Sequence, residues 1–415
     1  MGLEAVQNRE EVVDFFEGYS QEPDEDAVPA RRKPPVKTYM LETVPDGRPE
    51  PDLVTTLQRQ GHSLSQIGDG LFKIRDGATR DTVGILEQLM TRHPVIYTPE
   101  KADRMDRWVT RLVDADPQLD HLWLSGRAFE QLLETVLKIT PGHRFGRIVF
   151  QYMNAFETED DFESRSPQGA DSGHDETSPQ DDDDYVPERR ATKFSVVDRL
   201  DVLKTKLDLM RKIYSPLHAI HQLRFPARGR GGHDFYAHGK ATNRSQSFTD
   251  HRQHVQFVLR LYKKATESTE HAAWQRVETS HIANQHGGQD LLGAPVILRF
   301  SEKLTTTVFD RFIQATFRRK HNRFRLWGNP IRLGPTKVHV YALDRHLWQP
   351  LFLEITAEKI VAIIPKGTCG NTIHRLVTNV QHYLDPAVGV MVGDQSYGSL
   401  LAVNAGVRSV YDDEA

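Results

Sequence analysis

His233, His238, His251 and His254 fall within 22 residues of one another, with Asp234 and Asp250 beside them. Imidazole and carboxylate in this mixture suit Zn²⁺ or Mn²⁺. These four histidines are therefore the metal-ligand candidates; no cofactor is predicted, a divalent metal being the one these residues could take. The lack of thiolate ligands and of any H-E-x-x-H pattern points the other way, toward polar surface or phosphate-contacting histidines.

The same segment is glycine-rich and basic, running Arg228-Gly-Arg230-Gly-Gly-His233 and on through Lys240 to Arg244. Glycines let backbone amides approach an anion, and the flanking cations supply countercharge. A second basic stretch, Arg311 to Arg345, holds nine Lys or Arg against the single acid Asp344. Guanidinium and ammonium groups at that density suit phosphate contacts, and Phe324 or Trp327 suits stacking on exposed bases. The expected nucleic-acid-binding set is Arg228, Arg230, Lys240, Arg244, Arg318, Arg319, Lys320, Arg323, Arg325, Trp327 and Lys337. A helix C-terminus also favours cations, which accounts for Arg318 to Lys320 but not for those beyond.

Two short spacings suggest catalysis. His238-Gly-Lys240 resembles the H-x-K core of phospholipase D-type phosphodiesterases, which implies a His nucleophile and a Lys holding phosphate oxygens; Ser245 stands where that family has Asp. Cys369 to Arg375 has the C-x5-R spacing, after an apolar run and before a helical pattern, and resembles the loop of tyrosine-phosphatase-type enzymes. That implies a Cys thiolate and a phosphate-gripping Arg. Thr368, Thr372 and Leu376 depart from the family's His, Gly and Ser or Thr. Weaker matches are Asp394 with the last haloacid-dehalogenase-type motif, and Arg375 with His382, or Arg276 with His281, with the HEPN ribonuclease spacing. The implied folds are mutually incompatible.

The whole chain of 415 residues has a formal charge of −4, which taken alone argues against a polyanionic ligand. The charge is unevenly placed. Residues 1–30 carry nine acids and one base, and residues 157–184 twelve acids and one base, so the remainder is net +15. High charge with almost no apolar content cannot offset ordering entropy, so 157–190 is expected to be a disordered linker or insertion. One cysteine excludes a disulfide framework and Cys-rich zinc modules. No apolar run approaches the roughly 18 residues of a membrane span, and the acidic N-terminus is unlike a signal peptide, so a cytoplasmic protein with no membrane association is expected.

Positioning these residues requires several elements. Residues 1–58 read as an acidic, then Pro-rich tail. Residues 59–156 read as an α+β domain, with strands at 71–75 and 94–97 and amphipathic helices at 101–115 and 129–137. Ser195 and Asp198 form a capping pattern, predicting a helix from 195 to Pro216. Another helix is expected over 250–281, so 191–290 reads as a helical region around the basic loop. Residues 291–415 read as strand, helix, meander, helix and strand, a C-terminal α/β sandwich with a mainly antiparallel sheet. The fold class is α+β.

The charge distribution favours a nucleic-acid-associated protein, DNA or RNA, acting as one subunit of a multi-protein bacterial system, with antiviral defence as one setting. The alternatives are a phosphodiesterase, nuclease or phosphatase using His238 and Lys240 or Cys369 and Arg375, and a non-enzymatic scaffold for an acidic protein partner.

Overall fold

The computed structural model describes residues 2–21, 33–45, 52–139, 144–156, 190–280, 288–317 and 322–402. In chain order the first half holds α1 (Arg9–Gln21), β1 (Lys37–Glu42), α2 (Leu53–Arg59), β2 (Ser63–Gly68), β3 (Leu71–Arg75), β4 (Thr82–Glu87) and β5 (Val95–Thr98). There follow α3 (Ala102–Ala115), β6 (Asp120–His121), α4 (Gly126–Ile139), β7 (Phe145–Asn154), β8 (Arg190–Arg199) and α5 (Leu200–Met210). Then come β9 (Ile220–Pro226), β10 (Gly232–Tyr236), β11 (Lys240–Asn243) and α6 (Phe248–Ala273).

Strands β1–β11 make one sheet of order β2-β3-β4-β5-β1-β11-β10-β9-β7-β8, with β6 on β1. All its described pairings are antiparallel. Both faces are covered. Tyr39, Ile74, Val83 and Ile96 pack against Met105, Trp108 and Leu112 of α3. On the other face Met40, Ile148, Leu223 and Phe235 meet Phe16 of α1, Phe129 of α4, Leu203 of α5 and Val255 of α6.

The second half adds β12 (Trp274–Ser280), β13 (Gly288–Leu292), β14 (Val296–Arg299), α7 (Thr306–Phe317), β15 (Leu326–Gly334), β16 (Lys337–Asp344), β17 (Gln349–Thr356) and β18 (Lys359–Pro365). It closes with α8 (Asn371–Tyr383), β19 (Gly389–Val392), β20 (Gln395–Ser396) and α9 (Tyr397–Leu401). Its sheet order is β15-β16-β17-β18-β14-β19-β20, with β12 joining β18 in parallel and β13 antiparallel to β12. Phe309 and Phe312 of α7 and Ile373, Val377 and Val380 of α8 fill its core. The molecule is thus α+β, with two mainly antiparallel sheets. The 26-residue α6 runs from one core to the other, contributing Val255 and Val258 to the first and Ala265 and Ala273 to the second.

Three sequence expectations change. The segment read as a tail contains α1, whose Val12 and Phe16 are buried, and β1, a central strand buried at all six positions. Tertiary burial overrides the acidic and Pro-rich composition there. The helix expected from Ser195 begins at Leu200. Residues 190–199 instead form β8, where Phe194 faces Phe150 and Val196 faces Ile148 across the ladder. Cross-strand apolar pairing outcompetes a capping pattern at Ser195. The helix expected to reach His281 stops at Ala273, and Trp274 turns the chain into β12.

The acidic run at 157–184 lies outside the described residues, but β7 and β8 on its two sides pair from Phe145–Arg199 to Asn154–Arg190. It connects neighbouring strands of one sheet. Among the described residues no helix is long and apolar enough to cross a membrane.

Candidate metal centre

The head of α6 is fixed from several directions. Ser247 caps it, accepting from the Asp250 amide at 3.2 Å, and Glu17 of α1 accepts from the amides of Phe248 and Thr249 at 2.7 and 2.9 Å. A carboxylate facing the positive end of a helix is electrostatically favourable. Asp250 and His254, four residues apart, then share one helical face. That face meets β10, where alternation turns His233 into the core.

His233, Asp250 and His254 converge there, all three buried, with one ligand-capable atom each within 4.8 Å of the others. His233 Nε2 lies 3.1 Å from Asp250 Oδ2, and His254 Nδ1 lies 3.3 Å from Asp250 Oδ1 and 2.9 Å from the Asp250 carbonyl oxygen. His251 completes a second layer: its Nδ1 is 3.2 Å from His233 Nδ1, and its Nε2 is 2.9 Å from Thr38 Oγ1 of β1.

The protonation states suit a cation. Burial pushes His233 down to about 4, hydrogen bonding to Asp250 offsetting only part of this, and burial drives His251 well below its ordinary value. Burial also works against the Asp250 carboxylate, but the imidazoles of His233 and His254 outweigh it and hold the group far below the usual range. A neutral His233 imidazole beside an ionised carboxylate is the form a divalent ion binds. Asp250 Oδ1 is buried and faces His254 Nδ1 at 3.3 Å without hydrogen-bond geometry, so this oxygen can turn to a cation. These residues fit a transition ion with two nitrogen ligands and one oxygen, a set short of the four that closed structural sites use.

Asp250 also lines a cavity of about 340 Å³ whose wall includes Arg228, Arg230, Ser247, Gln253 and Glu17. The Arg228 amide donates to Asp250 Oδ2 at 2.9 Å, tying the glycine-rich loop to the cluster. Gly231 makes the loop feasible. Its φ is +86°, and a Cβ there would lie 2.1 Å from the Arg244 carbonyl oxygen. Arg228 and Arg230 are exposed at this cavity.

The other candidates from the sequence scatter. His238 stands apart from the triad, its ring near those of His121 and His221, and burial pushes it down to about 3. Lys240 is engaged by both oxygens of Asp106 at 2.7 and 2.9 Å. Arg244 pairs with Asp234 at 3.3 Å. Arg323 stacks over Tyr383 at 4.4 Å. Arg325 is only 4% exposed and sits 3.7 Å from Asp120, so it does not face a solvent-borne phosphate. Trp327 is exposed, whereas Phe324 belongs to the core. Lys337 bonds Glu354 at 2.8 Å. Arg318, Arg319 and Lys320 lie outside the described residues.

Cys369 and Arg375 belong to a buried polar seam between the two sheets that has no local sequence signal. Arg92 pairs with Glu42 of β1 at 2.5 Å and with both oxygens of Glu270 of α6, and the Gly370 amide donates to Glu270 at 2.7 Å. Arg375 is shared between Asp120 and Asp344. Burial and the Glu42 carboxylate push the Cys369 thiol well up, the reverse of thiolate activation. The guanidinium is likewise committed to two carboxylates, so the C-x5-R spacing builds no phosphate loop.

Two mainly antiparallel sheets sharing one long helix, with a His₂Asp cluster at its head, define an α+β protein with a metal-competent centre. Over residues 1–398 the chain matches the family described as MJECL33-like protein, and it belongs to that family. The uncharacterized protein MJECL33 of Methanocaldococcus jannaschii is 21% identical over 315 residues, covering 70% of this chain and 71% of that protein. No solved structure matches the chain.

Proposed function

We propose that this is a nucleic-acid-associated protein that binds a divalent transition ion at His233, Asp250 and His254 and holds a phosphate of its ligand at the adjoining cavity. The observation that carries this reading is the position of Asp250, which reaches the buried histidines and also lines the cavity walled by Arg228 and Arg230. A bound divalent ion would supply Lewis-acid polarisation of a phosphoryl oxygen and a more acidic bound water.

The chain's own residues do the rest. Arg228 and Arg230 present guanidinium groups that fork onto phosphate oxygens. Gly229, which lines the cavity, leaves the loop backbone open to a close anion there. Thr38 holds His251, and His251 in turn orients His233 from the side away from Asp250, the outer-shell support that fixes imidazole ligands. Hydrolysis of a phosphodiester at this centre is metal-dependent on this reading, unlike chemistry through His238 and Lys240 or through Cys369 and Arg375.

The test is cleavage of bis(p-nitrophenyl) phosphate and of labelled DNA and RNA, with and without Mn²⁺ or Zn²⁺. Binding or cleavage that requires the ion and falls about tenfold or more in an Arg228→Ala/Arg230→Ala variant is the expected result. Activity that survives EDTA unchanged overturns the assignment.

A further inference from the structure

The outer face of the second sheet exposes an unusual amount of apolar surface. Side chains alternate along each strand, so Val338, Val340 and Ala342 of β16 enter the core while Lys337, His339, Tyr341 and Leu343 point outward. Antiparallel sheets with one solvated face ordinarily put polar residues there. Here Tyr341 is 76% exposed and Trp327 60%, and Ile331, Leu333, Ile363 and Met391 are exposed as well. A contiguous patch of this kind marks an interaction surface.

Register arranges the patch in rows across the strands. Asn329, Tyr341, Phe352 and Ile363 are successive partners on β15, β16, β17 and β18. Trp327, Leu343 and Pro350 form the next row. The Tyr341 and Phe352 rings meet edge to face with centroids 5.3 Å apart. Toward the opposite strand ends, Lys337, Lys359 and Arg299 occupy outward positions, Lys359 directly across from Arg299. Lys337 and Tyr341 are four positions apart on β16, about 13 Å along the strand. On β14 to β18 the outward positions hold one acid, Glu354, contacted by Lys337 at 2.8 Å and His339 at 2.9 Å.

We propose that this face binds a single-stranded nucleic acid laid across the β-strands, with bases on the Trp327, Tyr341 and Phe352 surface and phosphates toward Lys337, Lys359 and Arg299. The inference rests on the nucleic-acid reading above and names which form of nucleic acid is bound and where. Every base has a π-face, so aromatic stacking beside a cationic margin is sequence-tolerant. A base-paired duplex hides those faces and loses the stacking. An acidic protein could satisfy the cations, but it leaves the aromatic row unexplained.

The probe is a labelled oligothymidylate of about 20 nucleotides, longer than the roughly 4–16 that comparable grooves occupy. Anisotropy is read in EDTA at about 50 mM salt on the full chain, so that binding here does not depend on the metal centre. Tyr341→Ala and Trp327→Ala, both at exposed positions, are expected to weaken binding about tenfold each. Lys359→Ala/Arg299→Ala is expected to flatten the salt slope. A matched duplex should compete poorly. If wild type binds and the aromatic variants bind equally well, this platform is wrong and the nucleic-acid reading stands. If neither single strand nor duplex binds with or without Mn²⁺, both fail. Self-association of the wild type that Tyr341→Ala abolishes, with no oligonucleotide binding, would assign the face to a second copy and overturn the proposal.

Discussion

The backbone amide of Arg228 donates to Oδ2 of Asp250 at 2.9 Å, the oxygen that His233 Nε2 also approaches at 3.1 Å. One carboxylate thereby fixes a flexible-looking basic loop and a buried pair of imidazoles in a common frame. The loop cannot shift without disturbing the cluster, and filling the cluster must be felt in the loop.

The first consequence concerns Gly231. Its φ of +86° and the 2.1 Å clash that a Cβ would make with the Arg244 carbonyl oxygen leave Gly231→Ala no relaxed conformation. The variant should lose about 1–3 kcal/mol of stability, read from urea midpoints. It should also weaken phosphate protection of the metal-loaded protein in thermal-shift assays. A variant with wild-type stability and phosphate response would mean that the loop geometry is unimportant.

A second consequence is the pH dependence of folding. Burial depresses His233 to about 4 and His238 and His374 to about 3, against an unfolded value near 6.5. The unfolded chain therefore binds more protons in between, and stability is full above about pH 6.5 and lost as pH falls toward 4 and below. Urea titrations from pH 7.5 to about 4 should show a falling midpoint with a slope of more than one proton. A flat profile over that window contradicts the burial of these neutral imidazoles.

The seam between the sheets predicts a third result. Arg92 carries the counter-charge for Glu42 and bonds both oxygens of Glu270, all buried. Arg92→Met takes the guanidinium away from the buried Glu42, which keeps His93 Nδ1 at 3.0 Å and the Cys369 thiol at 3.2 Å, and should cost about 3–5 kcal/mol. Glu270→Gln keeps the shape and should cost less, since burial already raises that carboxyl toward its neutral form. Equal losses in the two variants would contradict this assignment of charge.

Much of the architecture was legible in the sequence because its elements carry strong local periodicity. The helix at 102–115 and the strand at 71–75 fall where apolar spacing puts them. β1 was not legible: Lys37 and Thr38 are polar, and only their place at the centre of a sheet buries them. Likewise Asp250, His251 and His254 were visible as a cluster with His233, because the chain keeps them close. The sequence could not separate His238 from them. His238 lies in the turn that follows Tyr236, where it leaves the β10 face and joins His121 and His221. Asp106, which occupies Lys240, and Asp120, one of the two acids on Arg375, lie 134 and 255 residues away, a separation at which no spacing rule operates.

The central claim is tested most directly by metal stoichiometry. The full-length protein, stripped with chelator and dialysed against Zn²⁺ or Mn²⁺, is analysed by inductively coupled plasma mass spectrometry. Titration calorimetry runs in parallel on the wild type, His233→Ala and His254→Ala, with His238→Ala as the comparison. The account predicts one equivalent of ion in the wild type and in His238→Ala, and loss of that site in His233→Ala and His254→Ala variants that still melt cooperatively. No bound ion in the wild type, or an equivalent retained by both triad variants and lost from His238→Ala, would contradict it.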